Sequence, residues 1–197
     1  VVAHDSKALA TATLDLRLDV MGQSAKGTVL AKAECYAIRG NVAFVTVAAT
    51  DQETGALLAK ASGSFTVEYG PEGKGVLEMV NPQEGQEGGV IKLPYRGVLI
   101  GNPILPALHG GVTASVLQIA AQTHVIHALS IPLTTPPKLI DFTVDYLRRG
   151  LPEDGFAKAQ LTRAGRRFAS VSVTMWQGDP DAPIAAAHGH FALTAAP

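Results

Sequence analysis

The chain has 197 residues, of which 47% are hydrophobic and 17% are charged. It is too apolar to be disordered and long enough for one large domain or two small ones. A formal charge of −1 gives no basic surface for nucleic acid. One cysteine, Cys35, excludes an intrachain disulfide, and no apolar run reaches the roughly 18 residues of a membrane span. We therefore expect a cytoplasmic protein that binds neither nucleic acid nor a membrane.

The first part of the chain shows the two-residue period of half-buried strands. Leu14, Leu16 and Leu18 point to one face, while Asp15 and Asp19 point to the other. The same period predicts further strands at 28–38, 42–50 and 56–68. The segment 70–89 is then rich in Gly, Glu, Gln and Pro, a composition typical of a linker or mobile loop.

One long helix is predicted from Gly110 to about Leu129. Its residues are apolar on most faces, so it should be buried on most sides. Pro132 and the pair Pro136-Pro137 prevent its continuation. Period-two segments then predict strands at 139–147, 155–163, 167–177 and 184–193.

The strands repeat at a constant offset of 126 positions. Between positions 15 and 65 this offset gives 13 identities without gaps, for example Asp15 with Asp141 and Gly63 with Gly189. Alanine-rich strands resemble one another by composition alone, but a constant offset over four segments favours duplication. The predicted domains are a first repeat at 1–69, the linker at 70–89 and a second, complete repeat at 90–197.

The first repeat has no helix of its own in this sequence, because the offset places that helix upstream of Val1. A sheet without its helix would leave one apolar face in water. We expect that a preceding segment supplies the helix. The alternative is a degenerate half-domain that its neighbour seals.

Two glycines, Gly110 and Gly111, open the predicted helix. They let another group approach the backbone closely, and the free N–H groups of a first turn suit an oxygen with partial negative charge. A thioester carbonyl would gain stabilisation there as its oxyanion forms. A glycine-opened helix that only packs tightly on a strand explains the spacing equally well.

The segment 108–112, Leu-His-Gly-Gly-Val, resembles the N-terminus of the central helix in hotdog-fold thioesterases of the PaaI type. The segments 93–96, 101–103 and 141–149 resemble the family's first strand, its active-site loop and the strand after the helix. The resemblance covers residues 90–193, and the first repeat resembles the family's last strands. It implies an α+β fold, a tandem hotdog in which antiparallel sheets wrap a long central helix.

The resemblance also implies acyl-CoA thioester hydrolysis, with the glycine N–H after His109 polarising the carbonyl. The family places a carboxylate nine positions after this histidine, and this chain has Gln118 there. An amide cannot take a proton at neutral pH, so Gln118 is expected to hold water rather than act as a base. The predicted catalytic residues are therefore Asn102, His109, Gly110, Gly111 and Gln118, although Asn102 lies one position farther from the histidine than in some relatives.

Weaker candidates surround this site. Ser115 and Gln122 continue the polar stripe of Gly111 and Gln118 on the predicted helix. The stripe faces the substrate or, alternatively, forms hydrogen bonds to a partner hotdog. Two hydroxyls of the first repeat, Thr11 and Thr13, are candidates for orienting water. Two arginine pairs are candidates for binding the CoA phosphates, or alternatively lie only at the edge of the sheet: Arg148, Arg149, Arg166 and Arg167. We expect no metal and no cofactor beyond CoA within the substrate.

The sequence thus predicts an acyl-CoA thioesterase that forms a homo-oligomer of pseudo-dimeric double hotdogs. A non-catalytic acyl-CoA-binding or structural hotdog protein is the main alternative, because the carboxylate is missing. A hotdog dehydratase or hydratase is less favoured, because no His/Asp or His/Glu pair lies on the predicted helix.

Overall fold

The computed structural model describes residues 8–22, 27–69, 83–84, 89–102 and 106–193. The chain divides into two compact units, residues 1–72 and 73–197. Most of the predicted linker lies outside the described residues. No helix in the described ranges combines the length and apolar character needed to cross a lipid bilayer.

The described residues of the first unit form an antiparallel sheet of four strands in the order β2-β3-β4-β1. The strands are β1 (Ala8–Val20), β2 (Val29–Arg39), β3 (Val42–Asp51) and β4 (Leu57–Tyr69). They confirm the strands predicted from the two-residue period, and β1 begins earlier than its period indicated. Among the described residues of this unit, the buried core cluster consists only of Ala43 and Val67.

The second unit contains a larger antiparallel sheet and a 19-residue helix, which confirms the α+β prediction. Its sheet has the order β9-β12-β11-β10-β6-β5, and β7 and β8 pair separately. A short 3-10 helix at Gly97–Leu99 precedes β7. The other elements are β5 (Gln83–Glu84), β6 (Val90–Leu93), β7 (Ile100–Asn102), β8 (Ala107–Leu108), α1 (Gly110–Ala128), β9 (Lys138–Tyr146), β10 (Gly155–Ala164), β11 (Phe168–Trp176) and β12 (Ala185–Ala192).

The core of the second unit lies between α1 and one face of this sheet. Alternate residues of each strand, such as Phe142 and Val144, are buried with Val116, Leu117 and Val125 of the helix. The opposite face of each strand is more exposed, as the period-two pattern requires. The sheet therefore holds α1 in place along its length.

The two units repeat the same strand registers at the offset of 126. In the first unit, the β1–β4 pairing skips Leu14, and in the second the β9–β12 pairing skips Ile140. Beside these bulges, Asp15 bonds Ser64, and Asp141 Oδ1 lies 2.9 Å from His190 Nδ1. The repeated sequence thus forms repeated pairings down to the irregularities.

A glycine close to a backbone oxygen is also repeated. A Cβ atom on Gly63 would lie 2.7 Å from the carbonyl oxygen of Asp15, and one on Gly189 would lie 2.7 Å from that of Asp141. Any side chain there would separate the two strands at the bulge. This close approach explains why both repeats have glycine at the position.

Candidate active site at the N-terminus of the helix

His109 caps the N-terminus of α1 with its side chain. Its Nδ1 accepts a hydrogen bond of 3.0 Å from the Gly111 N–H, and its carbonyl accepts from the Thr113 N–H at 3.1 Å. Its own N–H donates to the Leu99 carbonyl at 2.8 Å. Because β8 and the turn before β7 hold its backbone, the imidazole has a fixed place at the helix end.

The hydrogen bonding defines the protonation state of His109. A nitrogen that accepts from an N–H carries no proton, so the neutral ring has its proton on Nε2. Burial lowers the pKa of His109 below its ordinary value, which favours the neutral form. The ring therefore offers an Nε2–H donor at neutral pH.

Two glycines flank the imidazole. A Cβ atom on Gly101 would lie 2.8 Å from His109 Cδ2, and one on Gly111 would lie 3.1 Å from Nδ1. A side chain at Gly101 would have to displace the ring or the strand that carries it. The glycines are thus needed for the position of His109 as well as for access to the helix.

Tyr146, at the end of β9, ties the sheet to the start of the helix. Its hydroxyl donates a 2.7 Å hydrogen bond to the Gly110 carbonyl, and burial raises its pKa to about 12. Sequence reasoning missed Tyr146 as a site residue. The sequence did contain an indication, because Tyr146 continues the two-residue period of the buried residues Phe142 and Val144. A hydroxyl buried on that face needs a hydrogen-bond partner.

The Gly111 N–H, which the resemblance implies would polarise the carbonyl, is not a free donor at this helix end. The Gly111 N–H is bonded to His109, whereas the N–H groups of Gly110 and Val112 have no hydrogen-bond partner among the described residues. Together with the positive end of the helix dipole, they can bind an oxygen with negative charge. Gly110 is therefore the better-placed donor.

Three polar side chains lie along one stripe of α1 beyond these glycines. The Ser115 hydroxyl donates to the Gly111 carbonyl at 2.8 Å, and the Gln122 amide donates to the Pro137 carbonyl at 3.1 Å. The half-buried Gln118 amide has no partner among the described residues. Gln118 is thus the member of the stripe whose amide is free to bind water or a ligand.

Residues 102–192 match the family described as the acyl-CoA thioesterase N-terminal domain. The second unit has the hotdog fold of the thioesterases. The solved structures similar to this chain include an oleoyl thioesterase from Lactobacillus plantarum, at 11% identity and a TM-score of 0.67 over 93% of this chain and 76% of that one. No curated protein matches the chain in sequence.

Two further solved structures have the same overall likeness. The TesB protein of Mycobacterium avium subspecies paratuberculosis has 10% identity and a TM-score of 0.67, covering 96% of this chain and 81% of that one. A 12:0-ACP thioesterase from Umbellularia californica has 10% identity and a TM-score of 0.67, covering 97% and 76%. At these identities the likeness establishes the fold.

The two arginine pairs lie at opposite ends of the hotdog sheet. Arg148 and Arg149 lie two and three residues after Tyr146, the last residue of β9, and the neighbouring Gly150 carbonyl accepts from the Leu108 N–H at 2.9 Å. Arg166 and Arg167 lie in the turn between β10 and β11. Only the first pair is therefore close to the N-terminus of α1.

The remaining predicted site residues are not brought together with His109 by the described residues. Thr11 and Thr13 are half-buried residues of β1 in the first unit, where they pair with Val67 and Phe65. Asn102 ends β7, and its backbone pairs with β8, while its side chain is outside the described part. The helix N-terminus thus gathers His109, Gly110 and Gly111, with Gln118 two turns along the same helix.

Proposed function

We propose that the second unit hydrolyses acyl-CoA thioesters at the N-terminus of α1. The observation that carries this proposal is the pair of donors there, the Gly110 N–H, which has no partner among the described residues, and the Nε2–H of a neutral His109. Donors fixed before the reaction stabilise an oxyanion without reorganisation, which is usually the largest contribution to acyl transfer. The match of residues 102–192 to a thioesterase domain supports the same chemistry.

In this proposal, the thioester carbonyl oxygen accepts from Gly110 N–H. Water adds to the carbonyl carbon, the oxyanion forms at the helix N-terminus, and the C–S bond then breaks. The proton that the attacking water loses passes to the departing CoA thiolate, so the products are a carboxylic acid and free CoA thiol. Gln118 orients the water by accepting from it through its amide oxygen, since an amide cannot remove the proton.

The substrate's phosphates are assigned to Arg148 and Arg149 in the same proposal. Both side chains are exposed, and the backbone hydrogen bond between Leu108 and Gly150 holds this segment beside the strand that leads into His109. Guanidinium groups suit phosphate because they donate in a planar fork. CoA thus approaches the helix from the end of β9.

A non-catalytic acyl-CoA-binding protein is the second candidate. It is favoured by the absence of any acidic side chain on α1, including the position of Gln118. Without a carboxylate, the same donors would bind a thioester carbonyl and leave it intact. Both candidate functions require acyl-CoA binding, but only the thioesterase hydrolyses the bound acyl-CoA.

A panel of acyl-CoAs with the wild type, Gln118→Ala and Gln118→Glu separates them. Hydrolysis by the wild type that Gln118→Ala abolishes supports the working glutamine site. A silent wild type that becomes active in Gln118→Glu indicates a decayed enzyme. Acyl-CoA binding without turnover in all three variants contradicts hydrolysis and leaves the binding protein.

We further propose that the whole chain is a tandem double hotdog of the PaaI type. The shared bulges at Leu14 and Ile140 and the paired glycines Gly63 and Gly189 support duplication of one ancestral unit. The proposal includes a homo-oligomer of such chains, which sedimentation equilibrium measures directly. A monomer at all concentrations would contradict the oligomer.

A further inference from the structure

A cavity of about 700 Å³ lies at the hairpin between β10 and β11, apart from the proposed active site. We call residues 163–168 the basic hairpin. The described residues that line the cavity are Arg163, Gly165, Arg166, Arg167, Phe168 and Ser170. Three of the six are arginines and none is acidic, so the cavity concentrates positive charge on a chain whose formal charge is −1.

The three arginines have no ion-pair partner among the described residues. All three side chains are exposed, so they contribute like charge to one surface without adding to the core. The duplicated hairpin of the first unit supplies the comparison. At the equivalent positions it has Ala37, Gly40 and Asn41 and still pairs in the same register, with the same bulge.

The backbone of the basic hairpin is held firmly. Gly165 N–H donates to the Phe168 carbonyl at 2.9 Å, and Leu193 N–H donates to the Arg167 carbonyl at 2.8 Å. Arg167 Cζ lies 6.0 Å from the centre of the Phe168 ring, which is 53% exposed. An exposed aromatic ring beside guanidinium groups offers a stacking surface as well as charge.

The cavity is distant from the N-terminus of α1. Strand pairing places Phe168 beside Ala192, and Ala192 beside Lys138, at the first residue of β9. Tyr146, which bonds the start of α1, is the last residue of the same strand. Eight residues of strand correspond to about 26 Å, so the two sites lie at opposite ends of the sheet.

We propose that the basic hairpin is a second ligand site, which binds a small phosphorylated compound with an aromatic ring, such as a nucleoside diphosphate. The phosphates accept from Arg163, Arg166 and Arg167, and the ring stacks on Phe168. The same chemistry is offered by a free nucleotide and by the nucleotide end of CoA. Binding here does not depend on the proposed hydrolysis, since no group of the helix N-terminus takes part.

Titration calorimetry of the full chain with ADP tests the site. We expect the double variant Arg166→Gln/Arg167→Gln to weaken ADP binding at least about tenfold, because two charge-assisted contacts are lost. Phe168→Ala should weaken ADP binding severalfold and leave pyrophosphate binding unchanged. Arg39→Gln, on the equivalent hairpin of the first unit, is the matched control and should bind ADP as the wild type does.

No ADP binding by the wild type, or equal binding by the wild type and the double variant, overturns the proposal. Equal sensitivity of ADP and pyrophosphate to Phe168→Ala overturns the stacking role of the ring. Titration with CoA then distinguishes a free nucleotide from the nucleotide end of CoA as the ligand. Loss of CoA affinity in the double variant adds the nucleotide end of CoA to the ligands, and unchanged CoA affinity supports a site for free nucleotides.

Discussion

The four strands of the first unit and their four counterparts in the second pair in the same registers, yet equivalent residues differ in exposure. Ala157 and Ala159 on β10 are 0% and 3% exposed, whereas Ala31 and Ala33, the same residues on β2, are exposed. The strand sequences cannot account for this difference, because the residues are identical. It comes from α1, which covers the sheet of the second unit.

The helix therefore supplies most of the apolar burial in this repeat architecture. The described core of the first unit is small, and large apolar side chains such as Met21, Tyr36 and Ile38 remain more than half exposed. The second unit buries a continuous cluster between helix and sheet. The same helix brings the N-terminal donors to the site, so stability and proposed function depend on one element.

The largest expected effect is on the buried alanine pair. Ala157→Asp places a carboxylate beneath α1 without a partner, and we expect it to lower the free energy of unfolding by roughly 3–5 kcal/mol. Ala31→Asp, on the exposed strand of the first unit, should change it by less than about 0.5 kcal/mol. Urea unfolding of the full chain measures both. Equal losses in the two variants would show that the strands, and not the helix, determine burial.

A smaller effect is expected at the glycine beside the imidazole. Gly101→Ala forces its Cβ against His109, so kcat/KM for acyl-CoA should fall roughly tenfold to a hundredfold through displacement of the ring. Gly97→Ala is the control, since a Cβ there meets no atom within 4 Å. Release of CoA thiol measures both variants. Equal rates would contradict a fixed position for His109.

The smallest effect concerns pH. Folded His109 resists protonation because its pKa is lowered by burial, whereas the unfolded chain takes up this proton below about pH 6.5. His109 therefore contributes no pH dependence above that value and lowers stability as pH falls below it. Between pH 7.5 and pH 5.5, the free energy of unfolding should fall more for the wild type than for His109→Asn, as urea unfolding at both pH values measures. A variant that loses more than the wild type would contradict the direction of the shift.

Much of the fold could be predicted from the sequence. The two-residue period gave the strands of both units, and the apolar run with its glycine start and proline end gave α1 from Gly110 to Ala128. The constant offset indicated the repeated registers. These features are local or periodic, so they are visible without tertiary contacts.

The details of the site could not be predicted in the same way. The bond that engages Gly111 depends on the rotamer of His109, and the role of Tyr146 depends on its distance from Gly110 across the fold. The separation of Arg149 from Arg166 required the order of the strands in the sheet. Each of these is a tertiary property that residue spacing along one chain does not contain.

Acyl-CoA hydrolysis by His109→Asn tests most directly whether the N-terminus of α1 is a hydrolytic site. Asparagine still caps the helix but removes the Nε2–H donor, so we expect kcat/KM to fall by about a hundredfold. His124→Asn, on the same helix, should retain the wild-type rate. Full activity in His109→Asn, or an equal loss in both variants, would contradict the assignment of the site to the helix N-terminus.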